Sequence, residues 1–176
     1  MQKKWVLSKR LIFIVVAIIA VYKLIAYAYF LILSAHYRQY LPPFVEIESN
    51  VYAGDSIGGF VEGCGVGIFK LSANTSAEIS SKGVSFLNQN SKSNSGNDAH
   101  AEFSDWRETP HTASIYEQVT APERWYAESS CAEVPVSLGT AINRSLRQKG
   151  SFYAATSTSE VLIIPSLKVA IFSHNK

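Results

Sequence analysis

Leu11 to Leu33 reads LIFIVVAIIAVYKLIAYAYFLIL, an apolar run that limits what the N-terminal fifth of this 176-residue chain can become. Fifteen of its residues are Leu, Ile, Phe or Val, and its one charge is Lys23. As a helix at about 1.5 Å per residue it reaches roughly 34 Å, which matches a hydrocarbon core of about 30 Å. A mid-span lysine costs about 2.5–3.5 kcal/mol, and each large apolar residue returns about 0.3–0.6 kcal/mol, so the run outweighs its lysine. A transmembrane signal-anchor helix is therefore expected over residues 11–34. Lys3, Lys4, Lys9 and Arg10 precede it with no acid before Glu46. That asymmetry places the basic tail, residues 1–10, in the cytoplasm and the remainder in the periplasm or the exterior, across the inner (cytoplasmic) membrane. A removable signal peptide is the rival, since Ala26-Tyr27-Ala28 fits the small-x-small cleavage pattern. Against it, Tyr29 to Leu33 prolong the apolar run beyond that site and Lys23 interrupts it.

Lys23 itself is a candidate for contact with a membrane partner, because ionisable groups inside a span tend to face a partner or a cavity. Ile19, Ala20, Ala26 and Tyr27 share its helical face. A lysine tolerated by the bilayer is the alternative.

Residues 35–44 read as a juxtamembrane connector, with Leu41-Pro42-Pro43 ending the helix. Residues 45–176 then form one extracytoplasmic domain, long enough to bury a core. An α+β fold is expected, with a mainly antiparallel sheet and about two helices. Val45–Tyr52 alternates apolar and polar residues as a strand does. Gly63–Leu71 reads as a second strand in which Gly63, Gly65 and Gly67 leave one face bare, which lets a ring or another backbone approach or marks a bulge. Thr75-Ser76-Ala77-Glu78 matches a capping box for a helix ending at Lys82-Gly83. Val84–Leu87 reads as a strand and Asn88–Ala101 as a polar loop. Trp106, Trp125 and Tyr126 give the middle segment bulk for a core or a groove. Pro135 opens a helix with an apolar stripe at Leu138, Ala141, Ile142 and Leu146, closed by Gly150. Strands at 152–156, 160–164 and 168–173 make an antiparallel meander. Lys82-Gly83 and Lys149-Gly150, each followed by an aromatic-bearing segment, suggest a faint internal echo.

Chemistry is sparsely marked. Beyond residue 35 the chain has 14 acids against 11 basic residues, so no basic face suits nucleic acid. His36, His100, His111 and His174 do not fall at metal-ligand spacing, and no phosphate or dinucleotide loop is present, so neither metal nor cofactor is expected. Cys64 and Cys131 are a disulfide candidate in an oxidising compartment. Asp55 and Glu62 flank the glycine stretch as a possible acid pair, with surface solvation the plainer reading. Asn74-Thr75-Ser76 and Asn143-Arg144-Ser145 are formal glycosylation sequons.

One local motif invites a catalytic reading. Gly54-Asp55-Ser56-Ile57-Gly58-Gly59 resembles the Gly-Asp-Ser-Gly-Gly block of chymotrypsin-like proteases, with Ile57 interrupting it. It also resembles the Gly-Asp-Ser-Leu block of a lipase and esterase family. The protease resemblance implies His and Asp upstream of Ser56, and the one upstream histidine is His36, beside the span. The lipase resemblance implies an Asp three residues before a late His, yet position 171 before His174 is Ile. A serine needs a base within reach to become a nucleophile. Asp55 and Ser56 are expected to serve a turn, with Ser56 the weak catalytic candidate. The expected function is non-enzymatic: a membrane-anchored domain that binds a protein partner or supports an envelope assembly. An immunity-type protein against a toxin, and an envelope serine hydrolase using Ser56, are the alternatives.

Overall fold

A helix of 37 residues, α1 (Gln2–Arg38), opens the computed structural model, which describes residues 2–56, 63–93, 103, 105–110, 134–156 and 159–175. The chain divides into two compact units, Met1–Ile32 and Leu33–Lys176. In the first unit, large apolar side chains from Leu11 to Ile32 stand exposed all round the helix, Phe13 at 74% and Leu24 at 68%. The stretch Arg10–Arg38 is long and apolar enough to cross a membrane.

The second unit begins inside the same helix. Leu33, Ser34 and Tyr37 are buried, and so is Leu41 beyond the helix end. Residues 35–44, expected to be a connector, thus contribute core side chains. The helix stops where the prolines dictate. Tyr40 and Leu41 donate backbone hydrogen bonds to Tyr37 and Arg38, and Val45 donates to Pro42.

The chain then forms β1 (Ile47–Asp55), β2 (Cys64–Leu71), α2 (Ala73–Ser93), β3 (Arg107–Glu108), α3 (Val136–Leu146), β4 (Phe152–Ala155), β5 (Ser159–Ile164), a 3-10 turn (Pro165–Leu167) and β6 (Val169–Asn175). The six strands make one sheet in the order β1-β2-β6-β5-β4-β3, every neighbouring pair antiparallel. This is the expected α+β class, and β4-β5-β6 is the expected meander. All six residues of β5 are buried, consistent with a strand covered on both faces.

Alternation sorts side chains into two clusters. On one face Phe69, Leu71, Val161, Ile163, Ala170 and Phe172 pack with Leu33, Tyr37 and Leu41, with Ile79 and Leu87 of α2, and with Trp106. On the other, Val66, Ile68, Leu162, Ile164 and Ile171 pack against Ile142 and Leu146 of α3. The predicted α3 stripe therefore faces the sheet, with Leu138 and Ala141 half-buried. The helix ends at Leu146, earlier than expected, and Gly150 instead takes φ 98° in the turn before β4.

Three local expectations are corrected. Helix α2 begins at Ala73, and its cap is Ser72, whose Oγ accepts the Thr75 amide at 3.1 Å. Thr75 is buried, and Glu78 pairs with Lys82 one turn on. Replacing Ser72 by Ala is expected to cost about 1 kcal/mol. Removing the Glu78–Lys82 pair, which is exposed, is expected to cost no more than about 0.5 kcal/mol. Urea unfolding of both variants measures the difference.

The second correction concerns Val84–Leu87, which is helical, not a strand. Gly83 leaves helical geometry (φ 62°, ψ −149°), yet a second helical piece continues to Ser93. Burial of Leu87, with Val84 and Phe86 packed beside the core, overrides the β-leaning composition. The internal echo loses its first strand with it.

The third concerns the polar run after Leu87. Residues 88–93, expected to be loop, are helical, and their side chains secure a buried tryptophan. The Trp106 amide donates to Asn88 Oδ1 at 3.0 Å, and the indole Nε1 donates to Ser91 Oγ at 2.9 Å. Trp106 is therefore a core residue rather than part of a groove.

Candidate functional site

The alternating glycines of β2 meet a specific ring. A Cβ placed on Gly65 would lie 1.9 Å from the Tyr37 hydroxyl oxygen, and one on Gly67 would lie 2.6 Å from Tyr37 Cβ. Both approaches are far below van der Waals contact, so Tyr37 occupies space that any other residue at 65 or 67 would claim. The bare face read from the sequence is real. Its occupant comes from the end of α1.

Register then assembles a polar row at this end of the sheet. Asp55 pairs with Gly65, Gly65 with His174, and His174 with Ser159. Residues directly opposite across antiparallel strands share a face. Four strands thus present Asp55, a glycine gap, His174 and Ser159 in line, with Tyr37 above the gap. The ring of Tyr37 lies 5.7 Å from that of His174 and 5.9 Å from that of Phe172. His174 also stacks on Phe172 at 6.0 Å, and its Nε2 lies 3.0 Å from the Gly65 Cβ position. Tyr37, Ser159 and His174 are buried, at 1%, 9% and 8% exposure. Tyr37, His174 and Ser159 are thus buried groups able to donate and accept hydrogen bonds beside Phe172, and Asp55 at the end of the row is half-buried.

The opposite face holds a second buried polar pair. Glu160 is fully buried and pairs in register with Ser173, which faces Val66 on β2. Sequence reading missed Glu160 and the Tyr37–His174 contact alike. No local motif links positions 37, 65 and 174. The one available signal was the glycine alternation, which announced a close approach without naming the partner.

Ser56 stands differently from the hydrolase pattern. Its amide donates to the Cys64 carbonyl at 2.9 Å, and its Oγ accepts the Cys64 amide at 3.2 Å. The hydroxyl thus stands in for a main-chain acceptor at the loop end of the β1–β2 hairpin. Late His174 lies in the row with Asp55. Ile171, where the lipase pattern has its acid, is buried against α3.

Lys23 is exposed on the first unit of α1. Cys64 opens β2, whereas Cys131 lies outside the described residues, as do Glu62, His100, His111, Trp125 and Tyr126. His36 contacts the rings of Tyr37 and Tyr40 near the end of α1, and its Nδ1 lies 3.2 Å from Gln39 Nε2. Both sequons fall within helices, Asn74 in the first turn of α2 and Asn143 in α3. Among the described residues, no three His, Cys, Asp or Glu side chains converge as a metal site would require.

Fold and site together define a class: a small α+β domain with a six-stranded antiparallel sheet, preceded by an apolar helix of membrane-spanning length. Comparison of the chain with protein families, with curated proteins and with solved structures found no match.

Proposed function

We propose that this chain is a single-pass membrane protein. Its N-terminal helix anchors an α+β domain in the periplasm or exterior, and the domain works by binding a protein partner or supporting an envelope assembly. One observation carries the anchor: from Leu11 to Ile32 the helix exposes large apolar side chains on every side. A helix apolar all round belongs in an apolar medium. The basic residues at 3, 4, 9 and 10 support an inside N-terminus. The binding role rests on Ser56, the sequence's one nucleophile candidate, being used in hairpin closure.

Alkaline carbonate extraction of cell membranes, followed by N-terminal sequencing, tests the anchor. The expected result is an intact chain retained in the pellet. A soluble chain beginning at Tyr29 would replace the anchor by a cleaved signal. Incubation with a serine-reactive phosphonate tests the second half. An adduct at Ser56 in the folded protein would return the hydrolase reading.

We infer further that Cys64 and Cys131 pair. Two facts support this: Cys64 is not a free thiol, and Cys131 is the chain's one other cysteine. Closing so long a loop is worth about 4 kcal/mol on the chain-entropy model. Reduction is therefore expected to lower the melting temperature of the domain. Rapid alkylation of both thiols in protein from an oxidising compartment would show the pairing wrong.

A further inference from the structure

The apolar span carries its single charge at its middle. Lys23 lies twelve residues after Leu11 and ten before Leu33, about 15–18 Å from either end of the run. Long basic side chains escape hydrocarbon by snorkelling when they sit near a helix end, and Lys23 does not. Its side chain is exposed, and no ion pair forms with it among the described residues. Its neighbours one turn away are Ile19, Ala20, Ala26 and Tyr27, none of which offers a counter-charge. In a bilayer an anionic group at the same depth would stabilise this ammonium, and the span itself supplies none.

A second copy of this chain supplies none either. The first acidic residue is Glu46, which lies beyond α1 and outside the span. Two copies packed in parallel through this face would set two ammonium groups at the same depth, where like charges repel most strongly. Ala20 and Ala26 flank the lysine with small side chains, so a foreign helix can approach the backbone closely at this level.

We propose that the Lys23 face of α1 is a binding site for the transmembrane helix of another protein, one carrying an Asp or Glu at mid-membrane depth. This rests on the membrane-anchor reading and names the chemistry of the partner. The interaction is a charge-assisted hydrogen bond between the lysine ammonium and a carboxylate oxygen, in a medium without water to compete.

The test uses the full-length chain, labelled at its N-terminus, in phosphatidylcholine vesicles. The probes are two labelled synthetic helices of leucine, one with a single central Asp and one with leucine there. Energy transfer is expected to show about tenfold tighter association with the Asp helix. Lys23→Leu is expected to reduce that preference to nothing while leaving insertion intact, and Lys23→Arg to preserve most of it. Equal binding of the two probes by the wild-type chain would overturn the proposal. So would a preference that survives Lys23→Leu, since lysine would then be a tolerated residue only. Carbonate extraction of the same vesicles separates the two readings. If the chain is extracted, the anchor itself fails. If it is retained and shows no Asp preference, this inference alone fails.

Discussion

Gly67→Ala is expected to destabilise the domain by about 2 kcal/mol, although alanine is intrinsically the better strand residue. Relief of glycine's conformational entropy favours the substitution by about 0.5–1 kcal/mol. Overpacking a filled core costs about 1–3 kcal/mol. Here the new methyl would stand 2.6 Å from Tyr37 Cβ and 2.8 Å from the Phe69 ring. A Cβ atom moves only with its helix, so the clash has no cheap exit and overpacking wins. Gly65→Ala meets a different atom, the Tyr37 hydroxyl oxygen at 1.9 Å. Its cost is therefore expected to fall in a Tyr37→Phe background, while the cost of Gly67→Ala is unchanged there, because phenylalanine keeps the Cβ. Urea unfolding of the two double-mutant cycles measures both couplings. Equal relief at 65 and 67, or none at 65, would contradict the packing of Tyr37 over β2.

Trimming the domain to residues 45–176 is expected to leave it unfolded, whereas residues 33–176 should fold without the apolar run. Val45 is where the connector ends by sequence, so it is the natural place to cut. That cut discards Leu33, Tyr37 and Leu41, all at most 4% exposed within the main cluster. Burying a large apolar side chain is worth about 1.5–3 kcal/mol, and a whole domain is stable by about 5–15 kcal/mol. Three such losses are of the size of the total. They would also strip cover from Phe172, whose ring stacks on Tyr40 at 4.6 Å. Near-ultraviolet circular dichroism and the cooperativity of urea unfolding distinguish the two fragments. A sharp transition in residues 45–176 would show that the α1 end is dispensable.

Much of the architecture was readable because it rests on short-range pattern. The β4-β5-β6 meander follows from three apolar runs and their turns, and α3 from Pro135 and the stripe at 138, 141, 142 and 146. Two of the errors share one cause. Val84–Leu87 and Asn88–Ser93 look like strand and loop in isolation, and they become helix because Leu87 is buried and Asn88 and Ser91 hold Trp106. Such contacts span 15 residues or more and leave no local mark. The polar row was illegible for the same reason. Asp55, Gly65, His174 and Ser159 meet only through the register of four strands.

By itself the sequence determined that residues 11–33 form an apolar helix of membrane length, since composition and length suffice to decide it. It also left one side of β2 bare at alternate glycines, open to a close approach or a bulge. Only the tertiary structure decided where the apolar run changes role. Ile32 is exposed at 62%, and Leu33, the next residue, is buried at 1%. Hydropathy cannot separate an apolar side chain left exposed on the helix from one packed in a protein core, because the two have the same composition. The packing of Leu33 and Tyr37 with the sheet's core cluster makes that distinction.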